Sequence, residues 1–331
     1  YYSVMYILWG MTYTIMDIPY WSMIPALTSS KEEREQVAVI PRIFASTAWL
    51  IMGTFGLSIV KKLGNGNVVK GYSSFAVVIA VAFIISAIIT CLNVKERVET
   101  PKNAEKVSFK QTLNIIRKND QLLVFIGIVL GMNLIMQISG SMAIYYFTYV
   151  VGKESLFSVY QAFAGIAEIS GLVLLPILTK KIGREDVFKF GSILPIAGFL
   201  LLFVAGIVAP QNALFIGMAG AILKLGSGFL LGSTTIMLAD VVDYGEFKLG
   251  TRNESIVFSV QTLLVKGASA VAGWLVGVGL SVVGYVAGEV QSATTILGMR
   301  VIMIWIPIVC AIVMSTRYKS KYKINGKFHD D

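Results

Sequence analysis

The sequence predicts an all-α polytopic membrane protein, on three observations: its composition, its long apolar runs, and the placement of its basic residues. Of 331 residues, 56% are hydrophobic and 14% charged, with a mean hydropathy of +0.74. Soluble domains carry about a quarter charged residues, and one soluble core could not bury this much apolar side chain. Runs of about 20 apolar residues cross a bilayer as helices instead, because irregular backbone facing lipid leaves its polar groups unpaired.

Nine such runs can be read, over 3–27, 37–60, 71–93, 121–150, 156–179, 186–208, 212–238, 255–283 and 297–316. The third to fifth are plainly apolar, while the first, second and eighth carry charge. Gly273 and Gly277 form a GxxxG pair that either lets two helices approach closely or is ordinary small-residue packing. Tyr1 opens directly onto an apolar run, so further sequence is expected before it in the parent protein.

The net charge of +9 does not indicate nucleic acid, because the basic residues sit between the spans, where they set topology. With the first connector (Lys31, Arg34) placed in the cytoplasm, that side also holds Lys95 to Lys118, Lys180, Lys181, Arg184, Lys248, Arg252 and the tail from Arg317 to Lys327. The opposite side has Lys61, Lys62, Lys70 and Lys153. The expected location is therefore the cell's inner membrane, with a cytoplasmic C-terminus. Cys91 and Cys310 fall in apolar stretches and His329 in the polar tail, so neither a disulfide framework, a metal centre nor an enzyme's nucleophile is indicated.

Segment 94–120 is the one long polar connector. Ser108-x-x-Gln111 resembles a capping box, and Phe109, Leu113 and Ile116 share a helical face. A short amphipathic helix on the cytoplasmic surface is expected there. It separates three helices (1–93) from six (121–316), with a basic tail at 317–331.

Charges inside spans cost about 2.5–3.5 kcal/mol each on insertion scales, so they normally face a partner or water. Here they are Asp17, Arg42, Glu168, Lys224 and Lys266, with Arg300 near a span end, where it can snorkel to the interface. Tyr13, Thr14, Asp17 and Trp21 lie on one helical face. A carboxylate accepts hydrogen bonds from sugar hydroxyls, an indole covers the apolar face of the ring, and carboxylate plus hydroxyl suits a hard cation. A structural Asp17–Arg42 pair, with Trp21 as packing, is the competing reading. Arg42 can neutralise Asp17 and also fork onto hydroxyls. Gln261, Thr262 and Lys266 form a polar cluster in the eighth span, the composition of an opposite cavity wall. Glu168 and Lys224 either pair or belong to the cavity. The string Ala239 to Lys248 crowds Asp240, Asp243 and Glu246, with Tyr244 among them, at a cytoplasmic helix end. Such acids form either ion pairs that break between conformations or a solvated loop.

Three strings together resemble the glycoside–pentoside–hexuronide:cation symporters, a branch of the major facilitator superfamily: YILWGMTYTIMDIPYWSMIPALT, IPRIFAS and LADVVDYGEFKLGTRNESIVFSVQTLLVKGASA. The likeness runs the length of the chain. It implies major facilitator-like helical bundles, about nine helices present of twelve, and alternating-access symport of a galactoside such as melibiose with Na⁺, Li⁺ or H⁺, without a cofactor. It also implies sugar contacts at Asp17, Trp21 and Arg42, cation contacts at Thr14 and Asp17, and a second sugar wall at Gln261, Thr262 and Lys266. An inner-gate network is implied at Asp240, Asp243, Tyr244 and Glu246, in a cytoplasmic loop. The implied partners are the sugar, the cation and the lipid bilayer; no motif marks a cytoplasmic regulatory protein. The sequence departs from the pattern at Leu231, where a sugar-site Trp is expected, and at Glu168 and Lys224, where neutral polar residues are expected. The family's first three helices are expected to precede Tyr1, and residues 1–331 alone are expected not to couple transport.

Overall fold

A computed structural model describes residues 1–22, 27, 31–94, 109–250 and 254–324. The described residues are helical apart from short turns, as expected of an all-α polytopic membrane protein. The helices are α1 (Tyr2–Ser22), α2 (Lys31–Gly64), α3 (Val68–Asn93), α4 (Phe109–Lys118), α5 (Asp120–Tyr145), α6 (Ser155–Ile182), α7 (Arg184–Val208), α8 (Ala213–Leu249), α9 (Glu254–Val282), α10 (Ala293–Arg300) and α11 (Ile306–Lys321). Wider π-helical turns extend α5 over Tyr146–Val150 and join α10 to α11 over Val301–Trp305. Eight helical stretches among the described residues are long and apolar enough to cross a membrane. The ninth expected span, the first, is a helix of 21 residues but is not among them, because Tyr, Thr, Asp17 and Pro19 dilute its apolar content. The capping residue Ser108 lies outside the described residues, while the short helix expected after it is present as α4.

The chain divides into two compact units, Tyr1–Ala48 with Gly56–Lys106, and Trp49–Phe55 with Val107–Asp331. In the first unit, α2 and α3 form a hairpin. Its turn needs a left-handed backbone at Asn65 and Gly66 (φ 45° and 89°), conformations that Gly adopts freely and Asn tolerates. Asn67 then caps α3, its side chain accepting from the Lys70 amide at 3.0 Å. Beside the turn the two backbones nearly touch: a Cβ built on Gly64 would lie 3.1 Å from the Gly71 Cα. Most of α3 presents Val, Ile and Phe outward, the surface a lipid-facing helix needs.

The second unit is built around α8, which packs along both α6 and α7, while α5 packs against α9 and α11. Glycines set these approaches. A Cβ on Gly171 would lie 2.7 Å from the Leu225 carbonyl oxygen, and one on Gly198 would lie 2.6 Å from the Leu223 amide nitrogen. A Cβ on Gly228 would collide with the Glu168 carbonyl. Helices in lipid gain little from the hydrophobic effect between them, so close backbone approach through small residues supplies the attraction. The expected GxxxG at Gly273 and Gly277 does no such work, for no described atom lies within 4 Å of a Cβ at either. Phe125, Tyr146, Phe147, Phe188 and Phe199 fill the interior. The Tyr146 hydroxyl donates to the Leu202 carbonyl at 3.3 Å, which satisfies its only buried polar group.

Candidate functional site

In the first unit, α1 carries an aromatic and polar stripe. Tyr6, Trp9, Tyr13 and Asp17 recur at intervals of three and four, hence on one face. Trp9 and Tyr13 stack with centroids 5.9 Å apart, and Tyr6 leans on Trp9 at 6.2 Å. Tyr13 and Asp17, one turn apart, interact electrostatically, so the aromatic stripe leads into the carboxylate. Thr14 is half-buried, and its hydroxyl donates back to the Gly10 carbonyl at 2.8 Å. The side chains of Trp21 and Arg42 lie outside the described residues, and with them the expected Asp17–Arg42 pair; both positions are helical. Sequence reasoning found Asp17 and Tyr13 from their spacing. It did not anticipate the ladder through Trp9 and Tyr6, which the same spacing would have revealed.

In the second unit, α9 carries Gln261, Thr262 and Lys266. Gln261 and Lys266 are half-buried and Thr262 exposed, with the Thr262 hydroxyl on the Phe258 carbonyl at 3.1 Å. Thr262 and Lys266 are one turn apart, as the spacing requires. Leu231 is half-buried on α8. Glu168 and Lys224 resolve into a pair, Nζ to Oε2 at 2.7 Å.

The acidic string is not a loop. Asp240, Asp243, Tyr244 and Glu246 all lie in the last turns of α8, which runs to Leu249 and ends at Gly250 in the left-handed conformation (φ 70°). The loop reading failed because the apolar pattern stops at Leu238 while the helix continues. Asp240 pairs with Arg184 at the start of α7, at 3.4 Å. Tyr244 donates to Asp120 at 2.9 Å, and Lys248 pairs with the same carboxylate. Gln121, beside Asp120, accepts from the Lys323 amide at 2.9 Å and donates to the Lys321 carbonyl at 3.3 Å. Asn119 caps α5 at the Leu122 amide (2.9 Å) and donates to the Val241 carbonyl at 3.3 Å. The end of α8, the start of α5 and the segment after α11 are therefore tied together through Asn119, Asp120 and Gln121. Sequence reading singled out none of these three. Asp120→Asn is expected to release Lys248 and loosen the Gln121 clasp. Hydrogen–deuterium exchange should then rise several-fold at Tyr322–Ile324 and stay unchanged in mid-α8; equal protection in both proteins would refute the clasp.

Arg300 reaches the end of a neighbouring helix. Its guanidinium donates to the Gly206 carbonyl at 3.3 Å, within the last turn of α7, where carbonyls lack helical partners and the dipole is negative. At the same end of the second unit Tyr149 and Tyr285 join hydroxyls at 3.1 Å, beside a cavity of about 340 Å³ lined by Thr148, Tyr149, Gly288, Glu289 and Gln291. Burial and the Tyr149 bond push the Tyr285 phenol up to about 12, so it stays a neutral donor at physiological pH.

Known proteins place this arrangement. The isoprimeverose transporter of Lactiplantibacillus pentosus is 32% identical over 310 residues, covering 92% of this chain and 64% of that protein. A putative sulfoquinovose importer of Escherichia coli (strain K12) is 29% identical over 327 residues, 98% of this chain and 68% of the relative. The raffinose carrier protein of Pediococcus pentosaceus is 29% identical over 313 residues, 90% of this chain and 47% of the relative. The chain thus spans between about half and two thirds of the length of these relatives. The profile of the family described as MFS/sugar transport protein matches residues 1–326. A helical bundle with costly polar groups inside its spans, matched almost end to end by that profile, belongs to the MFS/sugar transport protein family, a family of membrane transporters and not of enzymes.

Proposed function

We propose that the complete protein is a sugar:cation symporter of the inner membrane that works by alternating access, with its C-terminus in the cytoplasm. The observation that carries this reading is the α1 face, where stacked aromatics lead to a carboxylate inside a helix of a sugar-transport family member. Asp17 accepts hydrogen bonds from ring hydroxyls, Trp21 covers the apolar side of the ring, and Arg42 forks onto hydroxyls. Gln261, Thr262 and Lys266 supply further contacts. Thr14 and Asp17 hold the coupling cation, Na⁺, Li⁺ or H⁺. Asp240, Asp243, Tyr244 and Glu246 make and break ion pairs and hydrogen bonds at the cytoplasmic end as the carrier turns over. The basic connectors and tail support the orientation.

A galactoside such as melibiose is the substrate most in keeping with the sequence likeness. Leu231 in place of an aromatic, and relatives named for isoprimeverose and sulfoquinovose, favour another glycoside, a pentoside or a hexuronide as the second reading. Counterflow in proteoliposomes of the complete protein, with labelled sugars of each class and with or without Na⁺, decides. Cation-stimulated counterflow of a galactoside is expected. Exchange of only another class selects the second reading, and exchange of none overturns both.

A further inference from the structure

Two charges stand near mid-membrane in the second unit, and none of the sugar or cation contacts above uses them. Glu168 is the fourteenth residue of the 28 in α6, about 20 Å from either end at 1.5 Å per residue. Lys224 is the twelfth residue of α8, about 17 Å from its start by the same rise. The hydrocarbon is about 30 Å thick, so both lie close to its midplane. Their ion pair is 2.7 Å long, with 22% of the Lys224 and 15% of the Glu168 side chain exposed. The backbones beneath are in contact, Gly171 against Leu225 and Gly228 against the Glu168 carbonyl, so the pair is held on rigid ground.

The exposed edge needs an explanation. Both groups lie too deep to snorkel, and charges at the midplane face protein or water, not lipid. Lys224 also shares a face of α8 with Leu231, two turns on, and with Ala221, Thr235 and Ala239, interleaved with the buried Gly228 and Val242. All five are at least partly exposed, along a helix whose flanking positions are largely buried.

We infer that the Glu168–Lys224 pair lines the water-filled path of the carrier and is a specificity-determining contact for neighbouring hydroxyls of the sugar. The ammonium donates to one hydroxyl oxygen, and the carboxylate accepts from the next. The pair is pre-oriented, so it can exchange part of its mutual bonding for the sugar without moving a helix. A sugar lacking either hydroxyl leaves a charged group short of a partner, the kind of mismatch a polar site rejects strongly. The inference rests on the sugar-carrier reading and adds a third group of contacts to it.

The test uses the complete protein and the sugar that the wild type exchanges best, with its monodeoxy and epimeric analogues, read by titration calorimetry. Glu168→Gln with Lys224→Gln, made together, removes both charges and keeps similar shapes. The double variant is expected to bind the parent sugar about tenfold or more weakly. One or two of the deoxy analogues should bind wild type and variant alike, because the contact they lack is the one removed. Unchanged affinity for every sugar, or the same loss for all of them, would overturn the inference. If the double variant does not fold, Glu168→Asp keeps the charges but withdraws the carboxylate by one methylene, and the same selective loss is expected of it. A wild type that binds no sugar sinks the carrier reading itself, an outcome the variants are not needed to recognise.

Discussion

Replacing Gly228 with leucine is expected to unfold the second unit at ordinary temperatures, or to leave it too unstable to purify. The first atom of any side chain there meets the Glu168 carbonyl, and Gly171 lies opposite with its Cα 3.2 Å from the same Cβ position. Neither neighbour is the tip of a flexible side chain that can swing away, so the helices must part. Overpacking of a filled core costs about 1–3 kcal/mol where side chains can adjust, and here the backbone itself must move. Separation would also pull Lys224 from Glu168, leaving two unpaired charges near the midplane, for which breaking a buried pair gives about 3–5 kcal/mol as an upper scale; the partial exposure here reduces that figure. Thermal unfolding in detergent reads the effect. Gly273→Leu, which meets no described atom, is the control and should change the midpoint little. Equal midpoints for the two variants would show that α6 and α8 do not rely on backbone contact.

The second large effect is expected at Asp17. Asp17→Asn keeps the shape of the side chain but makes one of its two acceptors a donor. A sugar hydroxyl bonded to a carboxylate contributes about 1.5–3 kcal/mol, so losing the bond whose acceptor becomes a donor corresponds to about a ten- to hundredfold loss of affinity. Cation stimulation should vanish with it. Tyr13→Phe removes the hydroxyl that interacts with the carboxylate while keeping the ring that stacks on Trp9. It should weaken binding less, by about tenfold at most. Asp17→Asn with intact sugar binding would remove α1 from the substrate path.

Much of this was legible in the sequence, and the failures have physical reasons. Hydropathy located the eight helices that, among the described residues, are long and apolar enough to cross a membrane, because lipid demands a minimum apolar length. It misjudged α8, whose last turns leave the apolar pattern while remaining helical. The better signal was Gly250, a left-handed stop twelve residues after the last apolar run. The GxxxG pair drew attention to α9, yet the close contacts lie at Gly171, Gly198 and Gly228. Spacing alone does not say which face of a helix meets a neighbour. Glu168 and Lys224 announced themselves as expensive charges, but their pairing joins positions 56 residues apart, a relation only the packing of α6 on α8 defines. The Asn119–Asp120–Gln121 clasp was invisible for the same reason, since its partners come from α8 and from the segment after α11.

The length of α8 gives its C-terminal end a mechanical advantage. Its 37 residues extend about 55 Å, well beyond the hydrocarbon, so the final turns form a stiff arm standing in water. Measured from Lys224, the arm to Leu249 is about 37 Å long. Pivoting the rod by about 10° at that fulcrum would sweep its tip through about 6 Å, enough to pull Lys248 off Asp120 and Asp240 off Arg184. A displacement of a few tenths of an ångström beside Lys224 would thus be magnified by leverage into the parting or meeting of whole ion pairs at the far end.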